Sequence, residues 1–409
     1  MSARGQGPDW HIPQYNRMNA PRTARGRAAG PTPLVEMVMS RQDPRFAFII
    51  HPIDPRADVQ RRYPWLAKVL PENWIHYLSG LWPPLKLSDI EGIESQATGE
   101  RIRGWLLACP LTPQRMRTSA LDFVYRKIIQ TVRLAERLGA DIVGLGAWTA
   151  AIGDAGETVA RAARIPVTTG DAYTVAVVVE QLRQAARLLG VTPWEAATVA
   201  VVGATGAIGR AAADLLADQV ARVLLIGRRP RGLQQMAQAL TARPRRATVE
   251  VTTDLQRLLE APFILSATTA GRAVIQPEYL QPGSVVLDVA LPRDVSLRVQ
   301  RHRQDVLVLD GGIVRVPGPV NFHFNFGLPR GLAYACMAET MILTLERRFE
   351  CYTIGRNIPV DKVNEIARMG ARHGFEVAPL MTLGRRVRAA QWERVRHAAQ
   401  QARSSKEAL

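Results

Sequence analysis

Short apolar runs, each followed by a glycine-rich or polar turn, recur along the chain from residue 46 onward. Continuous runs of this length are typical of strands that are buried on both faces of a parallel sheet. They predict strands over residues 46–50, 102–108, 141–145, 199–202, 222–226, 263–266, 285–288 and 306–309. Helical spacing predicts helices between and after some of them, over residues 120–138, from about 171 to 190 and from about 360 to 372. We expect Thr169 or Asp171 to cap the N-terminus of the second of these helices. Strands that alternate with helices indicate an α/β fold.

The most informative turn follows the strand predicted over residues 199–202. Three glycines follow that strand, and an Ala- and Leu-rich helix comes next. Glycines there allow a tight turn and a close approach of the backbone to a pyrophosphate, and the helix N-terminus offers free N–H groups to it. This strand, turn and helix predict a Rossmann-type nucleotide site formed by Gly203, Ala204, Thr205, Gly206, Ala207, Ile208 and Gly209.

The end of the next predicted strand indicates which dinucleotide binds. Arg228 and Arg229 stand where an NAD site usually has Asp or Glu to bind the ribose hydroxyls. Two guanidinium groups suit a 2′-phosphate instead. We therefore predict NADPH as the cofactor.

The length of 409 residues is too great for one core and predicts several domains. We expect an N-terminal α/β substrate domain, a Rossmann-type parallel-sheet NADP domain and a C-terminal helical segment between two basic tails. The expected boundaries are 1–44 for a disordered basic tail, 45–168 for the substrate domain, 169–330 for the NADP domain, 331–382 for the helical segment and 383–409 for the second basic tail. Within the helical segment we predict a helix from Gly331 to about Glu350, which would put Cys336 in its second turn.

Charge and cysteine content narrow the choice of compartment and partner. The formal net charge is +17, which predicts a surface that attracts acidic partners, although general Arg-richness would give the same number. No nucleic-acid-binding motif is present, so we expect no nucleic acid partner. Cys109, Cys336 and Cys351 have no metal-ligand spacing, and so few thiols favour a reducing compartment without a bound metal. No apolar run approaches a membrane span and no secretory signal is evident, so a cytoplasmic location is predicted.

Seven ordered motifs carry a resemblance that covers roughly residues 46–380. They are Ile50-His51-Pro52, Leu145-Gly-Ala-Trp-Thr149, Thr168-Thr-Gly-Asp-Ala-Tyr-Thr174, Val199-Ala-Val-Val-Gly-Ala-Thr-Gly-Ala-Ile-Gly209, Asp310-Gly-Gly-Ile-Val314, Ala335-Cys-Met-Ala-Glu339 and Arg372-His-Gly-Phe375. In these the chain resembles the cyanobacterial-type long-chain acyl-acyl-carrier-protein reductases. The loop over residues 315–330 departs from that pattern, which leaves the substrate preference open.

The resemblance implies NADPH-dependent reduction of a long-chain fatty acyl thioester to an aldehyde. The acyl donor would be an acidic acyl carrier protein, with acyl-CoA as the other possibility, and a further enzyme would consume the aldehyde. The nucleotide domain of this family resembles that of shikimate dehydrogenases. A basic tail could also serve peripheral membrane contact, which competes with carrier docking for the same charge.

The resemblance also implies that Cys336 is the nucleophile, although a Cys in an Ala-rich helix is by itself more often a small core residue. The acyl group would pass to its thiolate and then accept a hydride. Three groups are candidates to help form that thiolate: Glu339, one helical turn further on, His51, at the end of a buried strand, and His323. Strand and helix ends place Thr169 and Gly311 near the predicted nicotinamide, and Thr149 and Gly170 near the reacting carbonyl.

Two other functions fit the same nucleotide motif. A shikimate-type dehydrogenase would carry a catalytic Lys/Asp pair, but none of Lys68, Lys86 and Lys127 stands in an Asn-x-Thr-x-Pro-x-x-Lys motif. A non-catalytic NADP-binding regulatory or scaffold protein would need Cys336 only for packing. The reactivity of that thiol separates these alternatives.

Overall fold

Two β-sheets with helices on both faces make up most of the described structure. The computed structural model describes residues 43–52, 74, 79–191 and 193–407. Both sheets are built from the buried apolar runs seen in the sequence, and each of the eight predicted strands is confirmed to within one residue at either end. The predicted tail over residues 1–44 lies almost wholly outside the described residues.

The first sheet has five strands in the order β2-β3-β1-β4-β5. β1 is parallel to β3 and β4, β4 is parallel to β5, and β2 runs antiparallel to β3. The strands are β1 (Arg45–Ile50), β2 (Leu85–Glu94), β3 (Arg101–Ala108), β4 (Ile142–Leu145) and β5 (Val167–Thr168). The helices of this region are α1 (Pro113–Thr118), α2 (Leu121–Leu138), α3 (Trp148–Ala151) and α4 (Glu157–Ala162).

A single long helix, α5 (Asp171–Leu188), connects the first sheet to the second. Eleven of its 18 residues are buried, because it packs against α6 (Ala207–Ala217) of the second sheet and against two later helices, α9 (Ala335–Leu345) and α10 (Val360–His373). Its apolar side chains join one face of each sheet into a continuous core. This helix therefore links the cores of the two sheets.

The second sheet has six parallel strands in the order β11-β10-β9-β6-β7-β8. The strands are β6 (Thr198–Val202), β7 (Arg222–Ile226), β8 (Thr248–Thr252), β9 (Phe263–Ser266), β10 (Val285–Asp288) and β11 (Leu307–Asp310). The helices are α6 (Ala207–Ala217), α7 (Pro230–Thr241) and α8 (Leu297–His302), with 3-10 turns at Trp194–Ala196, Leu255–Glu260 and Pro277–Tyr279. The strand order reverses beside β6, and such a switch point is where open α/β sheets bind ligands.

The C-terminal part of the chain returns to both sheets. It contains β12 (Ile313–Arg315), β13 (Leu332–Tyr334), α9 (Ala335–Leu345), α10 (Val360–His373), β14 (Glu376–Val377), β15 (Met381–Thr382), β16 (Arg385–Arg386) and α11 (Ala389–Glu407). Helix α9 packs on β4 and β1 of the first sheet, whereas α11 contacts β11 of the second. In α11, Trp392, Val395 and Ala399 are buried. No helix in the described part of the chain is both long and apolar enough to cross a bilayer.

The predicted helix start at Gly331 is wrong. Leu332–Tyr334 forms β13, which pairs antiparallel with β12, and the helix begins only at Ala335. This places Cys336 in the first turn of α9 rather than the second. Three strands of the two large sheets were also missed: β2 has only scattered buried positions, β8 is a half-exposed edge strand and β5 has only two residues, so none presents a long continuous apolar run. The short strands β12 to β16 were not predicted either.

Helix α11 packs closely against Gly283, which lies just before β10 of the second sheet. Gly283 has φ +79°, and a Cβ there would lie 2.4 Å from the Cα of Ala399. We expect Gly283→Ala to lower the free energy of unfolding by about 2–5 kcal/mol, because a left-handed backbone costs about 1–2 and overpacking about 1–3 kcal/mol. Gly190→Ala is the matched control, since Gly190 has φ +69° with open space around it. Urea denaturation measures the free energy of unfolding. An equal loss in both variants would contradict the prediction that the packing of Ala399 against Gly283 stabilises the fold.

Candidate active site

A cleft of about 460 Å³ lies between the ends of the strands of the two sheets. One wall is formed by turns that follow β6, β7, β9, β10 and β11, and the other by turns that follow β1 and β4 and by the first turns of α5 and α9. Side-chain hydrogen bonds connect the two walls. The Trp148 indole N–H donates to the Leu291 carbonyl (2.9 Å), and Arg117 donates to the Ala270 carbonyl (3.3 Å).

The glycine turn after β6 forms part of the nucleotide wall. Gly203 has φ +82°, and a Cβ there would lie 2.5 Å from the carbonyl oxygen of Ala267. A Cβ at Gly209 would lie 2.4 Å from the carbonyl oxygen of Gly203. Helix α6 begins directly after Gly206 without a side-chain cap, so its first N–H groups are left for a ligand. These features fit a dinucleotide pyrophosphate.

The predicted cofactor residues divide into two groups. Ala204 and Gly209 are buried behind the turn, and Gly209 lets helix α6 pack closely against it. The others line the cleft, namely Gly203, Thr205, Gly206, Ala207, Ile208, Arg228, Arg229, Thr169 and Gly311. Arg228 and Arg229 are exposed at the end of β7 and make no ion pair with any described residue.

Cys336 lines the same cleft and is half-buried at the second position of α9. Burial raises the pKa of its thiol to about 12, and the nearby negative charge of Asp171 adds to this effect. The resting thiol is therefore protonated, and it needs a proton acceptor before it can act as a nucleophile. By contrast, Cys109 is buried in the core of the first sheet and Cys351 is exposed, and neither lines the cleft.

His51 also lines the cleft, but both of its ring nitrogens are engaged in hydrogen bonds. Its Nδ1 lies 3.0 Å from the Pro52 carbonyl, and the backbone N–H of Trp148 donates to its Nε2 (3.1 Å). The neutral tautomer with hydrogen on Nδ1 satisfies both contacts, in agreement with burial that lowers the pKa of His51 to about 4. The imidazole thus holds the turn before α3 in place, and its action on Cys336 stays a prediction.

Glu339 and His323 do not line the cleft. The Glu339 carboxylate is fully buried and accepts hydrogen bonds from the Thr168 hydroxyl (2.5 Å) and the Tyr173 backbone N–H (2.9 Å), so it ties α9 to β5 and α5. His323 is exposed in the loop between β12 and β13, with its Nδ1 3.3 Å from the Asn321 amide.

Thr149 and Gly170, the predicted substrate contacts, support the cleft from behind. The Thr149 hydroxyl is buried and donates to the Gly146 carbonyl (2.8 Å). Gly170 has φ +76°, and a Cβ there would lie 2.3 Å from the Cα of Cys336. Only a residue without a side chain allows the start of α5 to approach the catalytic candidate this closely.

Sequence reasoning considered Asp171 only as a helix cap, but the structure places it in the cleft wall. Gly170 occupies the cap position, and Asp171 is the first residue of α5. Burial raises the pKa of Asp171 to about 7, and the charge of Glu339 adds to the rise, while the Thr169 hydroxyl opposes it. The signal in the sequence was an acidic residue directly after a glycine at a helix start, which is also what an ordinary cap region contains.

Comparison with known proteins identifies the nucleotide wall. Residues 184–310 match the family described as shikimate / quinate 5-dehydrogenase. This stretch covers the second sheet, so residues 184–310 form a Rossmann domain of the type found in nicotinamide-dinucleotide-dependent dehydrogenases.

Two curated proteins are similar over most of the chain. It is 33% identical over 354 residues to the aminotransferase PigE of Serratia sp., a match that covers 84% of this chain and 41% of that protein. It is 29% identical over 299 residues to the long-chain acyl-[acyl-carrier-protein] reductase of Synechococcus elongatus, which covers 69% of this chain and 84% of that protein. The chain thus spans less than half the length of the first relative. Among solved structures, the L-tryptophan dehydrogenase of Nostoc punctiforme shares 11% identity over 81% of this chain and 80% of that one, with a TM-score of 0.36.

The engaged imidazole of His51 has a pH-dependent consequence for stability. Folded His51 takes up a proton only near pH 4, whereas the unfolded chain does so near pH 6.5, so the wild type loses stability as the pH falls through this range. We expect His51→Ala to have a lower free energy of unfolding than the wild type near neutral pH. The difference between the two proteins should shrink by about 3 kcal/mol as the pH falls from 6.5 to about 4, at about 1.4 kcal/mol per pKa unit.

Urea denaturation of both proteins near pH 7.5 and near pH 5 should show about 2 kcal/mol of this change, because pH 5 lies about 1.5 units below the ordinary histidine pKa. His397→Gln, a change of an exposed histidine on α11 outside the cleft, is the control for the general effect of removing an imidazole. A His51→Ala difference that does not change with pH would contradict a neutral, engaged imidazole.

Proposed function

We propose that the protein reduces long-chain fatty acyl thioesters to aldehydes with NADPH, through an acyl group held on Cys336. The observation that carries the proposal is that the Cys336 thiol and the glycine turn of the Rossmann domain line one cleft. A nucleophile in that position lies beside a bound nicotinamide cofactor. The similarity to an acyl-[acyl-carrier-protein] reductase supports the same reaction.

The wall opposite the nucleotide turn suits an apolar substrate. Phe48, Ile50, Trp148, Met337 and Phe326 contribute side chains to it. Such a surface favours a fatty acyl chain because burial of apolar area is favourable in proportion to that area.

The loop between β12 and β13 gives this wall its aromatic edge. Phe326 packs edge-on against Phe322, with ring centroids 5.0 Å apart, and lies 6.2 Å from the Tyr334 ring. Since this loop departs from the pattern of the reductases that the chain resembles, it is the part of the wall that would set substrate preference.

The reaction would proceed in two stages at Cys336. Its sulfur attacks the thioester carbonyl carbon, the bond from that carbon to the carrier sulfur breaks, and the carrier leaves as a thiol. NADPH, when bound, supplies the hydride that reduces the acyl carbon. The resulting thiohemiacetal then loses its bond to Cys336, which releases the aldehyde and returns the free thiol.

The residues after β7 favour NADPH over NADH. Two guanidinium groups, those of Arg228 and Arg229, line the cleft where the adenosine ribose of a Rossmann cofactor lies. An acidic side chain that would repel a 2′-phosphate is absent from residues 226–233, all of which are described.

The acyl donor is proposed to be an acidic carrier protein, with acyl-CoA as the alternative. The formal charge of +17 favours encounter with an acidic partner, and Arg356 adds a further exposed guanidinium to the cleft lining. Both donors would present a phosphate near the thioester arm.

A shikimate-type dehydrogenase is the second candidate, because the matched family carries that description. Such an enzyme would need its catalytic lysine in the cleft. Lys86 pairs with Asp89 (2.8 Å) and Lys127 donates to the Trp82 carbonyl (3.0 Å), and neither lines the cleft, while Lys68 lies outside the described residues. The cleft wall therefore favours acyl transfer.

The acyl-enzyme can be detected directly. Intact-protein mass spectrometry after incubation with palmitoyl-CoA and no cofactor should show one palmitoyl group, which NADPH then discharges as aldehyde. Cys336→Ala should show none, because the nucleophile is absent. Cys351→Ala removes an exposed thiol outside the cleft and should still be acylated. No adduct on the wild type, or an adduct that survives in Cys336→Ala, would exclude this function.

The cofactor choice has a separate test. The double variant Arg228→Ala, Arg229→Ala should weaken NADPH binding by about 10- to 100-fold, since charge-assisted hydrogen bonds contribute about 1.5–3 kcal/mol each before solvent screening. NADH binding should change little, and Arg231→Ala, an exposed arginine outside the cleft lining, should change neither. Fluorescence titration measures both affinities, and equal weakening of NADPH and NADH would contradict a 2′-phosphate site.

A further inference from the structure

We propose that Asp171 accepts the proton of the Cys336 thiol during acyl transfer and delivers it to the departing carrier thiolate. This inference rests on the proposed function, since it assigns the acid–base group of the same reaction. It adds a residue for which sequence reasoning proposed only a capping role.

The contact between the first turns of α5 and α9 brings the two groups together. The backbone of Gly170 lies directly against Cys336, because a Cβ at that glycine would be only 2.5 Å from the Cβ of Cys336. Asp171 is the next residue, and its side chain lines the same cleft as the thiol. Both residues are half-buried, so each is open to the cleft while partly shielded from bulk water.

The other ionisable groups around the thiol are engaged elsewhere. On α9, Glu339 accepts hydrogen bonds from Thr168 and Tyr173, and at the end of β1 both ring nitrogens of His51 are engaged. At the end of β11, Asp310 accepts from the Gly384 backbone N–H (2.7 Å) and pairs with Arg293 (2.6 Å). Tyr334, before α9, has its pKa raised to about 12 by burial and remains protonated. Asp171 is thus the carboxylate of the described cleft wall that is placed to exchange a proton.

The environment of Asp171 suits this role. Burial and the Glu339 charge raise its pKa to about 7, so the carboxylate and the carboxylic acid are both present near neutral pH. A general acid–base group is most effective when its pKa lies near the working pH. The same carboxylate could not form the thiolate in advance, because its negative charge raises the pKa of Cys336. Proton transfer would therefore accompany attack on the thioester.

Every proton in the two stages of the reaction has a donor and an acceptor. The Asp171 carboxylate takes the hydrogen of Cys336 as the sulfur bonds to the carbonyl carbon. The carbon–sulfur bond to the carrier then breaks, and the Asp171 carboxylic acid protonates the leaving thiolate. After hydride transfer, the thiohemiacetal oxyanion expels the Cys336 thiolate as aldehyde forms. That thiolate regains a proton from solvent through Asp171. This is the one proton that the reaction consumes together with NADPH.

Two rates measured on Asp171→Asn distinguish proton transfer from a simple charge effect. The rate of palmitoyl adduct formation from palmitoyl-CoA should fall by about 100-fold or more near pH 8 and lose its rise around pH 7, as for removal of a general base. Alkylation of Cys336 by iodoacetamide at alkaline pH should become faster, because loss of the negative charge lowers the thiol pKa. A residue that acted only through its charge would make both rates faster.

Asp122→Asn is the matched control. Asp122 lies in the first turn of α2, which also has 18 residues, but it is exposed and outside the cleft lining. Both rates should stay at the wild-type value in this variant. Asp171→Glu keeps a carboxylate and should retain the rise of the acylation rate around pH 7. NADPH binding by each variant reports whether it is folded.

Each outcome bears on a separate claim. An Asp171→Asn variant that is acylated as fast as the wild type, with the same pH profile, overturns the role of Asp171 and leaves the proposed function standing. A wild type that forms no adduct overturns the proposed function and this inference with it. If Asp171→Asn does not fold, the wild-type profile decides, because a half-maximal acylation rate far above pH 7 overturns the inference.

Discussion

The close contact between Gly170 and Cys336 shapes the wall of the cleft that carries the thiol. Helix α5 can approach the start of α9 because Gly170 has no side chain and tolerates φ +76°. Further along, α5 packs against α6 of the Rossmann domain. Helix α5 and one residue without a Cβ thus link the nucleotide turn to the thiol, together with the hydrogen bond from the Ala335 N–H to the Gly312 carbonyl (2.8 Å).

The same junction concentrates negative charge away from water. Glu339 is fully buried, and its hydrogen bonds from Thr168 and Tyr173 join three elements of the fold. A buried carboxylate is tolerated when such donors satisfy it, but its field still acts on its neighbours. In this protein burial raises the pKa of Asp171 toward neutrality, and the charge of Glu339 adds to the rise. A residue that ties three elements of the fold together thus also contributes to the proton affinity of a residue in the cleft.

The two walls of the cleft differ in what they present to a ligand. The nucleotide wall follows rules shared by Rossmann domains, which is why residues 184–310 match a dehydrogenase family. The opposite wall is assembled from β1, β4, α9 and the loop between β12 and β13, and it presents the thiol and the apolar surface. Because function depends on the site rather than on the fold, the substrate must be decided by this second wall.

The sequence by itself determined eight strands of the two large sheets, the glycine turn and the arginine pair, because each is encoded by neighbouring residues through periodicity and turn chemistry. It missed β2, β5 and β8, which are short or depend on partner strands for their burial, and it placed the start of α9 four residues too early. Only the tertiary structure showed that His51 is engaged, that Glu339 is tied to β5 and that Asp171 faces the cleft. The partners of His51 and Glu339 are Trp148 and Thr168, which lie 97 and 171 residues away in the chain. The environment of a side chain is set by such long-range packing, which local sequence patterns do not encode.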